Sequence, residues 1–215
     1  MRTILLICCL VALVVQSTVV QSTFADEVAF SSFGPNDAYN MSSGVAVGEG
    51  CAGFKNYNTA FQFTSLVTGE FTSLDAAFTS NNDFGTDRLE FLLWASDGNE
   101  IGSLIWSDAM DVGDVQFGGE IITFAAAGNG PILEAGVDYW LSARAESGLN
   151  SYGWNSVTDA FDFGNGAFDD QGGEDWEYVI GTRSAFRINV QSIPEPSSAF
   201  VLFLFFVGFL RRKVA

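Results

Sequence analysis

Histidine is absent from this 215-residue chain, and proline occurs only 4 times. Without an imidazole there is no Ser-His-Asp triad, no Cys-His pair and no histidine metal site. Cysteine is nearly as scarce. Cys8 and Cys9 lie inside an N-terminal apolar run, which leaves Cys51 alone in the middle of the chain. One thiol makes no internal disulfide, so Cys51 reads as a small buried residue and the fold must stand on its hydrophobic core. There is no P-loop and no dinucleotide fingerprint; Gly164-Asn165-Gly166 lacks the strand-to-helix setting those motifs need. Long helical periodicity is missing too.

Basic residues are few, 9 against 26 acids. One base stands in residues 1–25, and three bases with one acid stand in 194–215. That leaves 25 acids and 5 bases between Asp26 and Ile193, a formal net charge of −20. Such a surface repels phosphate backbones, which argues against nucleic acid as a partner. It suits cations, polar polymers or simple solubility outside a cell. What is plentiful is glycine, at 23, and phenylalanine, at 21, in a composition that is 48% apolar and able to bury a core.

Both ends are apolar. Arg2 precedes a run from Ile4 to Val15, and a polar stretch then leads to Thr23-Phe24-Ala25 before Asp26-Glu27. This order predicts a secretory signal helix over 1–25 cleaved after Ala25. The run is too short to serve comfortably as a permanent span of a core about 30 Å thick. At the other end, Pro194-Glu195-Pro196 stops any preceding strand, because proline lacks the ladder N–H. An uncharged stretch, Ser197 to Leu210, and then Arg211-Arg212-Lys213 follow. The arrangement predicts a short transmembrane helix over 197–210, held by bases on the cytoplasmic side.

The ordered set of Pro-Glu-Pro, one apolar span and a terminal basic cluster, paired with an N-terminal signal, resembles the PEP-CTERM sorting signal of Gram-negative bacteria. The resemblance covers 194–215. It implies that an exosortase-type enzyme recognises Pro194, Glu195 and Pro196 with Arg211 and Arg212. Cleavage near the prolines would deliver the inner-membrane-tethered precursor to the cell surface or extracellular matrix. The chain would then be that reaction's substrate.

Between the ends, 26–193 reads as one extracellular domain. Leu74, Ala76 and Phe78 share a face, as do Leu89, Phe91 and Leu93, and later Phe186, Ile188 and Val190. Asp97-Gly98 supplies a turn between the second set and Ile101–Trp106. Short strands at about ten-residue spacing predict an all-β fold, a jelly-roll-like antiparallel β-sandwich. Three segments, Ala60-Phe61-Gln62-Phe63, Phe91 to Gly98 and Leu133 to Leu141, resemble the lectin-like or choice-of-anchor ectodomains of bacterial surface proteins.

Two candidate sites follow. Rings flanked by polar side chains stack on sugars and hydrogen-bond their hydroxyls. Trp140 lies on the strand face opposite Tyr139 and Leu141, with Arg144 beside it, and Tyr152, Trp154 and Asn155 sit in a polar, glycine-containing stretch read as a loop. These five form the candidate polysaccharide site; packing in the core is the plainer reading of each ring. Calcium takes six to eight hard oxygens from flexible loops. Asp159, Asp162, Asn165, Asp169 and Asp170 offer such oxygens in a segment also read as a loop; a solvated acidic loop is the plainer reading. The functional expectation is an exported, non-enzymatic surface protein interacting with polysaccharide. The alternative is a structural surface component with no specific ligand. An acidic-site glycoside hydrolase is the outsider, since twenty-five acids supply many carboxylate pairs.

Overall fold

Alternating apolar residues set the architecture. The computed structural model describes residues 26–48, 57–80, 88–111, 119–126, 130–145, 151–159, 162–169 and 175–193. The signal segment with Ala25, Cys51, the tail with its Pro-Glu-Pro motif, Arg211 and Arg212, the span 197–210 and Asp170 all lie outside them. Among the described residues no helix is long and apolar enough to cross a membrane. They form a chain of strands: β1 (Asp26–Ser31), β2 (Tyr39–Gly48), β3 (Asn58–Thr64), β4 (Gly69–Ser80), β5 (Arg88–Asp97) and β6 (Glu100–Asp111). There follow β7 (Glu120–Ala125), β8 (Ile132–Leu133), β9 (Asp138–Ala145), β10 (Ser151–Val157), β11 (Phe163–Asp169), β12 (Glu177–Thr182) and β13 (Phe186–Ser192). A single 3-10 turn, Pro35–Asp37, separates β1 from β2.

All pairings are antiparallel and fall into two sheets. In the first, β4 is the hub. It carries β13 and β10 end to end along one edge and β8 and β7 along the other, while β1 extends β13 and β2 extends β10. The second runs β12-β11-β3-β9-β5-β6. The fold is nearly all β and sandwich-like.

The three predicted stripes meet between the sheets. Leu74, Ala76 and Phe78 of β4, Leu89, Phe91 and Leu93 of β5, and Phe186, Ile188 and Val190 of β13 belong to one buried cluster, joined by Phe61, Phe63, Tyr139, Leu141, Tyr152 and Trp154. At its centre Trp154 stacks on Phe78 (5.5 Å between centroids, 16° between planes) and takes the edge of Phe61 at 5.4 Å. The expected hairpin is β5–β6. Asp97 faces Glu100 across it, and Gly98 adopts the left-handed φ of 65° at the first turn position.

The second sheet is curled. Its edge strands β12 and β6 are five strand spacings apart, which in a flat sheet is about 24 Å. Yet Ile101 N of β6 donates to Tyr178 Oη of β12 at 3.0 Å, and the Trp94 and Trp176 rings approach to 6.3 Å. The two edges therefore close over the face that points away from the other sheet. Beneath them lies a second, smaller core of Ala60, Leu92, Trp94, Trp140 and Ala167, with Ile101 and Trp176 packed against it.

Candidate functional site

The roof covers only part of that outer face. Strand parity places Ala60, Gln62 and Thr64 of β3, Asp138, Trp140 and Ser142 of β9, and Phe163, Asn165 and Ala167 of β11 on it. Ala60, Trp140, Ser142 and Ala167 are buried. Beyond Trp140 the face opens into a groove of about 560 Å³, within the usual size range of ligand sites. Gln62, Thr64, Asp138, Phe163 and Asn165 line it from the sheet, Asn99 from the hairpin turn, and Phe30 and Arg183 from the β1 side.

Gln62 separates the closed half from the open half. Its amide nitrogen donates to Ser96 Oγ (2.8 Å) and to the Gly98 carbonyl (2.9 Å), while its oxygen accepts from Asn165 Nδ2 (2.5 Å). Ser96 Oγ also accepts from Trp140 Nε1 at 3.2 Å and donates to the Gly98 carbonyl at 2.7 Å. These bonds pin the hairpin tip over β3 and β9. At the outer end, Thr64 Oγ1 donates to Asp138 Oδ1 (2.5 Å). Phe163 leaves 53% of its surface in water at the groove.

Arg183 closes the groove with a specific fit. Its guanidinium lies over the Phe30 ring, 5.5 Å from the centroid, in cation–π geometry. On another side is Gly164, where a Cβ would fall 2.6 Å from Arg183 Nε and 2.8 Å from Nη2. Glycine at 164 is thus what lets the guanidinium lie against the β11 backbone. Among the described residues, Arg88, Arg144 and Arg187 each have a carboxylate within 4 Å, and Arg183 has none. Its Nε is enclosed without a hydrogen-bond acceptor.

The sequence-expected sugar site does not assemble. Trp140 and Trp154 are fully buried and Tyr152 nearly so, so none offers a ring face to a ligand. Trp140 stands on the expected face of β9, but Tyr178 covers it at 5.9 Å and 68°. The Tyr152–Asn155 segment is no loop. It is interior strand β10, paired on both sides by β2 and β4. Buried Asn155 is occupied internally, accepting from Thr79 Oγ1 at 2.9 Å and donating to the Met41 carbonyl at 3.5 Å. Arg144 donates to its cross-strand neighbour Glu90 at 2.6 Å.

The calcium expectation meets a different obstacle. Phe163–Asp169 is strand β11 and not a loop, so Asn165 and Asp169 stand about 13 Å apart along it. Asn165 is bonded to Gln62, and buried Asp169 accepts from Asn58 Nδ2 at 3.3 Å. The Asp162 amide bonds the Asp159 carbonyl as a turn. Among the described residues no three acidic or thiol side chains gather as a metal site.

The groove residues that the sequence reading passed over are Phe30, Gln62, Asn99, Phe163 and Arg183. One signal pointed to Arg183: it is one of only five bases in an otherwise acidic region. No family model and no curated protein matches this chain.

Proposed function

We propose that this chain is the precursor of an exported cell-surface or extracellular-matrix protein, sorted at its Pro-Glu-Pro tail by an exosortase-type enzyme, whose sandwich domain contacts polysaccharide through the outer-face groove. The observation that carries the binding half is the groove itself. A half-exposed aromatic ring, Phe163, stands beside amide, carboxylate and guanidinium groups that match sugar hydroxyls, in a space of about 560 Å³. The sorting half rests on the order of motifs at the two ends of the sequence. The pairing of sequence-distant strands, β1 with β13 and β2 with β10, supports the jelly-roll-like reading of the topology.

Among the described residues, Asp138 is the single carboxylate lining the groove. A two-carboxylate hydrolysis would need a second acid, which the described lining does not supply, so we read this place as a binding site. The burial of Trp140 and Trp154 favours a second reading, a surface-coat component held together by an aromatic core and recognising no ligand.

Retention of the released protein on the extracellular polysaccharide of the producing cells separates the two. In the binding reading, retention saturates and falls in Phe163→Ala and Asp138→Asn. Retention that is absent, or unchanged in both variants, leaves the coat reading standing. The sorting half is tested separately by replacing Pro194, Glu195 and Pro196 with alanine. The variant keeps its tail; release of a tail-less domain from it would refute recognition at this motif.

A further inference from the structure

The geometry points to Arg183 as a reader of carboxylate, making the groove a site for acidic, uronate-type saccharides. This deepens the polysaccharide reading above and rests on it.

Three observations converge. First, the cation is not consumed by the fold. In a region with 25 acids, the other described arginines are ion-paired, whereas Arg183 has no carboxylate within 4 Å among the described residues. A structural arginine here would be expected to capture one of the many acids. Second, the guanidinium is held in place. The Phe30 ring lies 5.5 Å beneath it, and the missing side chain at Gly164 makes room for its Nε and Nη2 edge. A planar group fixed this way loses little rotamer freedom on binding, and its terminal Nη pair, the end away from the enclosed Nε, matches a carboxylate with two parallel hydrogen bonds. Third, Arg183 lines an open groove whose other polar groups suit hydroxyls, and while its Nε is enclosed, its terminal Nη donors are not among the enclosed, unpaired atoms.

The domain's net charge of −20 opposes an anionic ligand at long range. That repulsion is screened beyond about 8 Å at physiological salt, whereas a partly enclosed pair at contact is screened far less. Recognition is therefore local, one carboxylate per groove. The affinity for the acid should hold or rise as salt is added, the reverse of binding by a basic surface.

The test uses the full chain in a sugar-free polyoxyethylene detergent, titrated calorimetrically with tetrasaccharides of galacturonate and of mannuronate. Each is supplied as the free acid and as the methyl ester, which keeps the sugar and removes the charge. The expected result is binding of at least one free acid, roughly tenfold or more weaker binding of its ester, and loss of that preference in Arg183→Gln. Gly164→Ala should weaken acid binding similarly, because its Cβ collides with the movable guanidinium and not with backbone. Arg88→Gln removes the same charge at the far end of β5 from the hairpin turn, about 30 Å away, and should change nothing. Unchanged circular dichroism shows the variants folded, and Arg183→Lys, which keeps charge but loses the fork, should recover only part of the affinity. Equal binding of acid and ester, unaffected by Arg183→Gln, overturns the carboxylate role and leaves the groove reading intact. Binding of none of the four saccharides overturns both.

Discussion

Replacing Trp154 with alanine removes the largest ring from the centre of the sandwich. The indole is fully buried, stacked on Phe78 at 5.5 Å, and met by Phe61 at 5.4 Å and Phe186 at 5.6 Å. A buried tryptophan cut to alanine costs about 3–5 kcal/mol through lost transfer energy and the cavity left behind. The hydrogen bond adds little. Trp154 Nε1 donates to the Ala185 carbonyl at 3.2 Å, but that carbonyl also accepts from Ala77 N at 3.1 Å and so keeps a partner. Losing three ring contacts pushes the cost upward within the range, since aromatic pairs contribute beyond their area. A loss of about 4 kcal/mol with a urea m-value of about 2 kcal/mol/M moves the unfolding midpoint down by about 2 M. Far-ultraviolet circular dichroism is the right probe, because the substitution removes a fluorophore. The Trp154→Phe variant keeps one ring in the stack and should lose less than half as much. A midpoint shift below about 0.5 M for the alanine variant, with m unchanged, would mean that the ring is not core. The burial argument that removes Trp154 from the ligand site would then fail.

Gln62→Leu removes three hydrogen bonds at the seam of the closed and open halves and should cost about 2 kcal/mol, read as a lower thermal midpoint. The loss is moderate because Ser96 Oγ still serves the Gly98 carbonyl and Asn165 can turn to groove water. The Tyr39 phenol is pushed above its ordinary value of 10.0, first by burial and then by the nearby Glu120 carboxylate. The fold favours the neutral phenol, so this stability is fully present below the ordinary value and is lost as pH rises above it through the raised folded value. Tyr39→Phe should flatten the fall in stability seen on alkaline titration; an unchanged fall would refute the assignment.

Legibility in the sequence followed the range of the interactions involved. The stripes Leu74-Ala76-Phe78, Leu89-Phe91-Leu93 and Phe186-Ile188-Val190 were readable, because a strand with one face in the core alternates in its own letters. The Gly98 turn was readable for the same reason. Strand β10 was not. Its Asn155 and Ser156 are buried polar residues, with Asn155 satisfied by Thr79 and Met41, so polar letters mark an interior strand that looked like a loop. Strand β11 was hidden by its glycines, and the reason for Gly164 is tertiary: it gives way to Arg183. The face of Trp140 follows from parity and its burial agrees with the plainer reading of each ring, but what covers it had no local signal, since Tyr178 lies 38 residues further along the chain. A groove drawn from Phe30 to Arg183 leaves no local signature at all.

The curl of the second sheet explains why the binding surface sits where it does, and it is open to direct test. An uncurled sheet would present Trp94 and Trp140 to water as a broad aromatic platform. Closure converts those rings into a second core and leaves the Gln62–Asp138 end as an open, groove-forming part of that face. The latch is slight. Among the described contacts, one hydrogen bond from Ile101 N to Tyr178 Oη and the Trp94–Trp176 edge contact join the two margins. Tyr178→Phe deletes the bond and keeps the ring over Trp140. The released Ile101 amide lies at an exposed margin where water replaces the lost acceptor, so global stability should fall by only about 1 kcal/mol. Local opening should become easier by a comparable amount, raising amide exchange at Ile101 about fivefold and making the indoles beneath it more open to acrylamide quenching. Tyr178→Ala removes the cover as well and should enlarge both effects. If neither variant alters exchange or quenching while Gln62→Leu does, the hairpin tip held by Gln62, and not the meeting of the sheet margins, is what keeps the outer face closed.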